Sequence, residues 1–141
     1  MVRQPIQVEI IIFRLIKGSY EYLLLKRIEA RGGFWQPVTG GLEEGENIND
    51  AVIRELKEET GITKIKRIID KVYEFTLKDK LPIKEYVFGV EIKNTPIKLD
   101  KNIYDEHEDY KWCSYSEAMK LLKWPGNKKG LTKLYKILGK N

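Results

Sequence analysis

The sequence is poor in residues on which several function classes depend. It holds one cysteine, Cys113, which excludes an internal disulfide and fits a reducing compartment. Cys113 follows Trp112 in what reads as a strand, so it is expected to be a buried structural thiol and not a nucleophile. The single histidine, His107, is no obvious nucleophile either. No window approaches the roughly 20 apolar residues needed to cross a bilayer. The stretch MVRQPIQVEIIIF has no long apolar segment followed by a small-residue cleavage site. Together these absences lead us to expect a cytoplasmic protein with no membrane partner. Repeats, low-complexity tracts and linkers are missing as well, so one domain over residues 1–141 is expected. No dense basic cluster interleaved with aromatics appears, Lys123 to Lys129 being the nearest approach, which argues against a general nucleic-acid partner.

What is present suits an ordinary globular core: 42% hydrophobic and 33% charged residues. The net charge of +5 reads as a lysine-rich surface that also attracts phosphorylated ligands at long range. Residues Ile6 to Ile16 alternate as a strand, with Val8, Ile10 and Ile12 on one face. A turn at Gly18-Ser19 leads to a second strand, Tyr20 to Lys26, and so to a hairpin. Ile28 to Gly33 reads as a loop, and Phe34 to Val38 as a short extended piece interrupted by Pro37. A helix is predicted from about Asn47 to Thr60, with Asn47 as N-cap, Asp50 in the first turn and Gly61 just past the end. Ile65 to Leu77 and Ile83 to Ile92 read as strands, and Tyr110-Lys111-Trp112 as a last short one. Ser116 can cap a helix to Leu122. Trp124-Pro125-Gly126-Asn127 reads as a break before a final amphipathic helix, Lys128 to Leu138. The pattern as a whole is α/β.

The central helix carries unusual charge. Taking 100° per residue with Ile48 at zero, the apolar residues Val52, Leu56 and Ile53 fall at about 40°, 80° and 140°. Glu58, Glu55 and Glu59 fall at about 280°, 340° and 20°, bordering the apolar arc where a plain solvated face would lie across from it. Three like charges one turn apart repel. A hard divalent cation would offset this, because such ions choose carboxylate oxygens. Arg54, at about 240°, adjoins Glu58 and can hold carboxylates in place. The alternative is a surface helix on which Arg and Lys balance Glu.

The spacing around these residues is more specific than the glutamates alone. Gly40, Glu46, Arg54-Glu55, Leu56, Glu58-Glu59, Gly61 and Ile62 fill every fixed position of a pattern that resembles the signature of the Nudix hydrolase superfamily. The resemblance covers most of the chain and implies a Nudix-type α/β/α sandwich with a mixed sheet. It implies hydrolysis of a nucleoside diphosphate linked to a further group, with Mg²⁺ as cofactor and Mn²⁺ as a substitute. Carried over residue by residue, it makes Glu55, Glu58 and Glu59 the metal-binding glutamates, adds the carbonyl of Gly40 to the metal shell, and gives Glu46 and Arg54 supporting, orienting roles. The segment Glu106-His107-Glu108-Asp109-Tyr110-Lys111-Trp112 is similar to a further family segment, which makes Glu106 a candidate ligand or general base. His107 is expected to be structural or hydrogen-bonding.

The run Phe34-Trp35-Gln36-Pro37-Val38-Thr39, together with Glu106-His107, Tyr110, Trp112 and Trp124 to Lys128, resembles the dihydroneopterin triphosphate branch, whose members are often described as dATP pyrophosphohydrolases. The expected substrate is thus a nucleoside or pterin triphosphate, cleaved to pyrophosphate and a monophosphate. Phe34 and Trp35 are candidates to stack on a purine or pterin ring. Lys26 and Arg27 are candidates for phosphate contacts, and Asn127 and Lys128 for the triphosphate or base. Alternatives are a dinucleoside polyphosphate, an RNA 5′ end, or a non-catalytic nucleotide sensor. Many relatives pair, which leaves a homodimer possible.

Overall fold

Alternation of side chains along β1 (Ile6–Ile16) sets the layering of the protein. In the computed structural model, which describes residues 5–78, 81–99 and 106–139, Val8, Ile10 and Ile12 enter one core layer and Ile11 and Phe13 another. The remaining strands are β2 (Ser19–Arg27), β3 (Trp35–Gln36), β4 (Val38–Gly41), β5 (Arg67–Leu77), β6 (Ile83–Glu91) and β7 (His107–Cys113). They form one seven-stranded sheet with the path β3-β2-β1-β6-β5, to which β4 adds on β1 and β7 on β2. β1 and β6 run parallel while the other pairs are antiparallel, so the sheet is mixed.

Helix α1 (Ile48–Thr60) buries Ala51, Val52 and Leu56 on the layer of Val8 and Ile10. Helices α2 (Tyr115–Leu121) and α3 (Pro125–Ile137) cover the opposite face through Ala118, Leu131 and Leu134. The result is the expected α/β/α sandwich. The signals that bound α1 act as predicted. The Asn47 side chain accepts from the Asp50 N–H at 2.9 Å, and Gly61 adopts φ 74°, a left-handed conformation that costs glycine little.

Several expectations need correction. The first hairpin turns on Lys17-Gly18, because Ile16 and Ser19 already pair. The loop before Gly33 contains a 3-10 turn, Glu29–Arg31. Pro37 splits the short extended piece into two strands, which pair with β2 and β1 respectively; lacking an N–H, it sits between ladders. Ser114, not Ser116, caps α2, accepting from the Glu117 N–H at 3.1 Å. Trp124 to Asn127 does not break the chain but starts α3, with Pro125 in the first turn, where a missing N–H is harmless. Strand β7 begins at His107, three residues before the predicted start. The turn expected at Lys78-Asp79-Lys80 and the loop to Asn102 lie partly outside the described residues. Cys113 is buried, which pushes its thiol up to about 11 and leaves it inert, as expected. No helix among the described residues is long and apolar enough to cross a membrane.

Candidate active site

The acidic loop and the second turn of α1 meet at Arg54. Its guanidinium grips Glu46 with two bonds, Nε to Oε2 at 2.8 Å and Nη2 to Oε1 at 2.9 Å. Nη1 donates to Glu55 Oε1 at 2.8 Å and to Glu58 Oε1 at 2.9 Å, and Nη2 also reaches the Gly41 carbonyl at 2.9 Å. One planar fork thus fixes three carboxylates and the end of β4, which a lysine ammonium could not do with the same geometry. The Arg54 bonds hold the Glu46 carboxyl below the usual carboxylate range. A groove of about 550 Å³ opens beside this clamp, lined by Gly41, Leu42, Glu43, Glu44, Arg54 and Glu55.

Glu55 is pressed against the backbone of β4. A Cβ at Gly40 would overlap its carboxylate, so the close approach requires glycine there. Burial pushes the Glu55 carboxyl up to about 7, Arg54 opposes the shift, and the charges of Glu59 and Glu58 add to it. Glu58 remains half exposed, whereas Glu59 is buried.

Glu59 points toward β7. Its Oε2 and the His107 Nδ1 are both buried without a hydrogen-bond partner among the described residues, and they stand 3.6 Å apart. The Gln36 amide nitrogen lies 3.5 Å from His107 Nε2. Glu106 completes the group, with ligand atoms of Glu59, Glu106 and His107 within 4.8 Å of one another. Orphaned buried donor atoms next to repelling carboxylates are what a hard divalent cation satisfies, so the residues present fit such an ion.

The other candidates separate. A cavity of about 340 Å³ lies on the α3 side of the sheet, with Gln7, Gln36, Glu85 and Asn127 among its polar lining and Phe75 and Trp124 among its rings. Arg27 lines it too, while its Nε donates to the Arg31 carbonyl at 3.1 Å. Phe34 packs edge-on against Trp124 with ring centres 5.8 Å apart. Asn127 is buried and donates to Glu9 Oε1 at 2.6 Å. Trp35 is half-buried, packs against the α2/α3 core layer and bridges Leu122. Lys26 pairs with Glu108 at 3.5 Å. Lys128 lines a different groove, with Tyr73 and Met119. Sequence reasoning missed Phe75, Glu85 and Trp124 as cavity residues. A charge at position 85, on the opposite face from the alternating Tyr86, Phe88 and Val90, was the available signal.

An Arg-held set of carboxylates with an orphaned buried oxygen suits a divalent cation, and comparison with known proteins supplies the family. The NUDIX domain profile matches residues 5–134. The asymmetrical bis(5′-nucleosyl)-tetraphosphatase of Caenorhabditis elegans is 32% identical over 114 residues, covering 79% of this chain and 80% of that protein. The nucleoside triphosphatase NudI of Salmonella heidelberg is 33% identical over 119 residues, covering 76% and 82%. An octanoyltransferase of Myxococcus xanthus is 36% identical over 107 residues, and this chain spans only 29% of its length. Among solved structures, the C. elegans Ap4A hydrolase binary complex superposes with a TM-score of 0.81 at 26% identity, covering 97% of this chain and 98% of that one. The Escherichia coli dihydroneopterin triphosphate pyrophosphohydrolase gives 0.75 at 25% identity, covering 94% and 96%. The chain belongs to the NUDIX family and is a Nudix hydrolase.

Proposed function

We propose that the protein hydrolyses a pyrophosphate linkage in a nucleoside or pterin triphosphate, releasing pyrophosphate and a monophosphate, with Mg²⁺ as the cofactor and Mn²⁺ as a substitute. The observation that carries this reading is the clamp of Arg54 on Glu46, Glu55 and Glu58, with the unpartnered Glu59 oxygen beside it. Glu55, Glu58, Glu59 and the Gly40 carbonyl would hold the cation, with Glu106 as a further ligand or the general base. A cation held there would supply neutralisation of phosphate charge and a more acidic water. The chain's own part is positional. Arg54 and Glu46 fix the carboxylates in advance, so little reorganisation is left for the reaction. His107 steers Glu59, and Gln36 steers His107. The cavity bounded by Asn127, Phe75 and Trp124 takes the ring, backed by Phe34, while Arg27 meets phosphate at its rim.

A dinucleoside polyphosphate is the second reading, favoured by the likeness to the C. elegans Ap4A hydrolase over nearly the whole chain. Phosphate release with Mg²⁺ across dihydroneopterin triphosphate, dATP, 8-oxo-dGTP, diadenosine tetraphosphate and ADP-ribose separates the two. Glu58→Gln should lower turnover at least about a hundredfold with the fold intact. Unchanged turnover refutes the metal assignment. Tight nucleotide binding with no hydrolysis anywhere in the panel would make the protein a sensor.

A further inference from the structure

Glu9 and Glu85 are two buried carboxyl groups that the proposed chemistry leaves unused. The parallel register of β1 and β6 sets Gln7 beside Glu85 and Glu9 beside Val87, so Glu9 and Glu85 are diagonal neighbours on the α3 face. Among the described residues no lysine or arginine pairs with either one. The Asn127 amide holds Glu9 Oε1 at 2.6 Å, while Oε2 is buried with no partner. Glu85 is 3% exposed, and what it exposes is the wall of the 340 Å³ cavity.

Two carboxyl groups side by side without a cation do not both ionise at neutral pH. Burial, reinforced by the Glu85 charge, raises Glu9 well above the ordinary range. Burial also raises Glu85, and the closeness of Glu9 opposes that rise. Burial and the neighbouring carboxylate favour the proton on Glu9, the deeper of the two, and leave the cavity-lining Glu85 to accept. Glu85 faces the cavity as a carboxylate, with lone pairs and nothing to donate. The polar groups nearby lie next to Phe75 and Trp124, the usual composition of a pocket for a flat ring.

We propose that Glu85, steadied by Glu9, selects the ring of the substrate by accepting two hydrogen bonds from a ring N–H and an adjacent exocyclic amine, the 2-amino-4-oxopyrimidine edge that guanine and pterin share. Adenine presents a ring-nitrogen lone pair at that edge, which a carboxylate repels. The inference rests on the reading that this cavity takes the substrate's ring. It names the class of ring, and it disfavours dATP and diadenosine tetraphosphate.

The test compares kcat/KM for GTP, ITP, ATP, dihydroneopterin triphosphate and diadenosine tetraphosphate in the wild type and in Glu85→Gln. Binding of GMP, IMP and AMP to the metal-free wild type is followed in parallel by tryptophan fluorescence, which Trp124 should report. ITP lacks only the 2-amino group, so wild type should favour GTP over ITP by about 10- to 100-fold, mostly in KM. Glu85→Gln offers one donor and one acceptor, and should bring GTP and ITP to within a few-fold, chiefly by raising KM for GTP. Whichever of GTP and dihydroneopterin triphosphate is preferred identifies the ring's source. Equal kcat/KM for GTP and ITP in the wild type, or a preference for either adenine substrate, overturns the inference while leaving hydrolysis standing. Selective binding of GMP over IMP and AMP without any turnover supports it and refutes the hydrolytic reading instead. The wild-type arms need no variant, so a misfolded Glu85→Gln would not spare the proposal.

Discussion

Removal of the Arg54 guanidinium is the sharpest probe of the site, because one group serves three carboxylates. Arg54→Ala deprives Glu46, Glu55 and Glu58 of their shared donor and frees the Gly41 carbonyl. Glu58 is 46% exposed and contributes little to stability after screening. The Glu46 and Glu55 side chains are only 13% and 12% exposed, so their loss of a charged donor dominates. With Arg54 itself 22% exposed, we expect about 3 kcal/mol of destabilisation, a fall in Tm of about 10 °C. Divalent-cation affinity, measured by titration calorimetry, should weaken by about 10- to 100-fold, as it does when groups that orient ligands are removed. Arg54→Lys keeps the charge but not the fork. It should recover part of the Tm and little of the affinity. An unchanged Tm in Arg54→Ala, or wild-type cation affinity in Arg54→Lys, would show that the fork does not position the carboxylates.

Four further outcomes follow from other parts of the molecule. Gly40→Ala places a methyl group on the Glu55 carboxylate; thermal melts should show about 1–3 kcal/mol of destabilisation, and steady-state turnover should fall with it. Because Glu55 titrates near 7, cation binding must displace its proton below that pH. Apparent affinity should then fall about tenfold per pH unit as pH drops below 7 and level off above it, which titrations at several pH values would show. The same shift, up from an ordinary 4.5 to about 7, means the folded chain holds more protons than the unfolded one in that window. Metal-free stability should therefore decline as pH rises from about 4.5 to 7, in urea melts, and the decline should vanish in Glu55→Gln. Finally, Cys113 should react with a thiol reagent slowly in the native protein and fast in denaturant, since its thiol is buried and pushed to about 11.

Much of this was legible in the sequence wherever the signal is local. The period of two in Ile6–Ile16 gave both faces of β1, and Asn47 and Gly61 bounded α1 because caps act within a single turn. The helical angles placed Glu55, Glu58 and Glu59 at the border of the core, and the burial of Glu59 beside the half-exposed Glu58 agrees. Local reasoning failed at Trp124 to Asn127, where Pro125 is as much a helix start as a helix break. Only its neighbours in space distinguish the two.

By itself, then, the sequence determined most of the elements, the acidic stripe and the family, all properties of spacing along one segment. The tertiary structure decided what touches across segments. It put Gly40 of β4 under Glu55, aimed His107 of β7 at Glu59, carried Lys128 away from Asn127 into another groove, and set Trp35 half-buried against the α2/α3 layer. The parallel register of β1 on β6 made a pair of Glu9 and Glu85. A side chain's face follows from its period, but its partner follows from register, and register is set by the packing of the whole sheet.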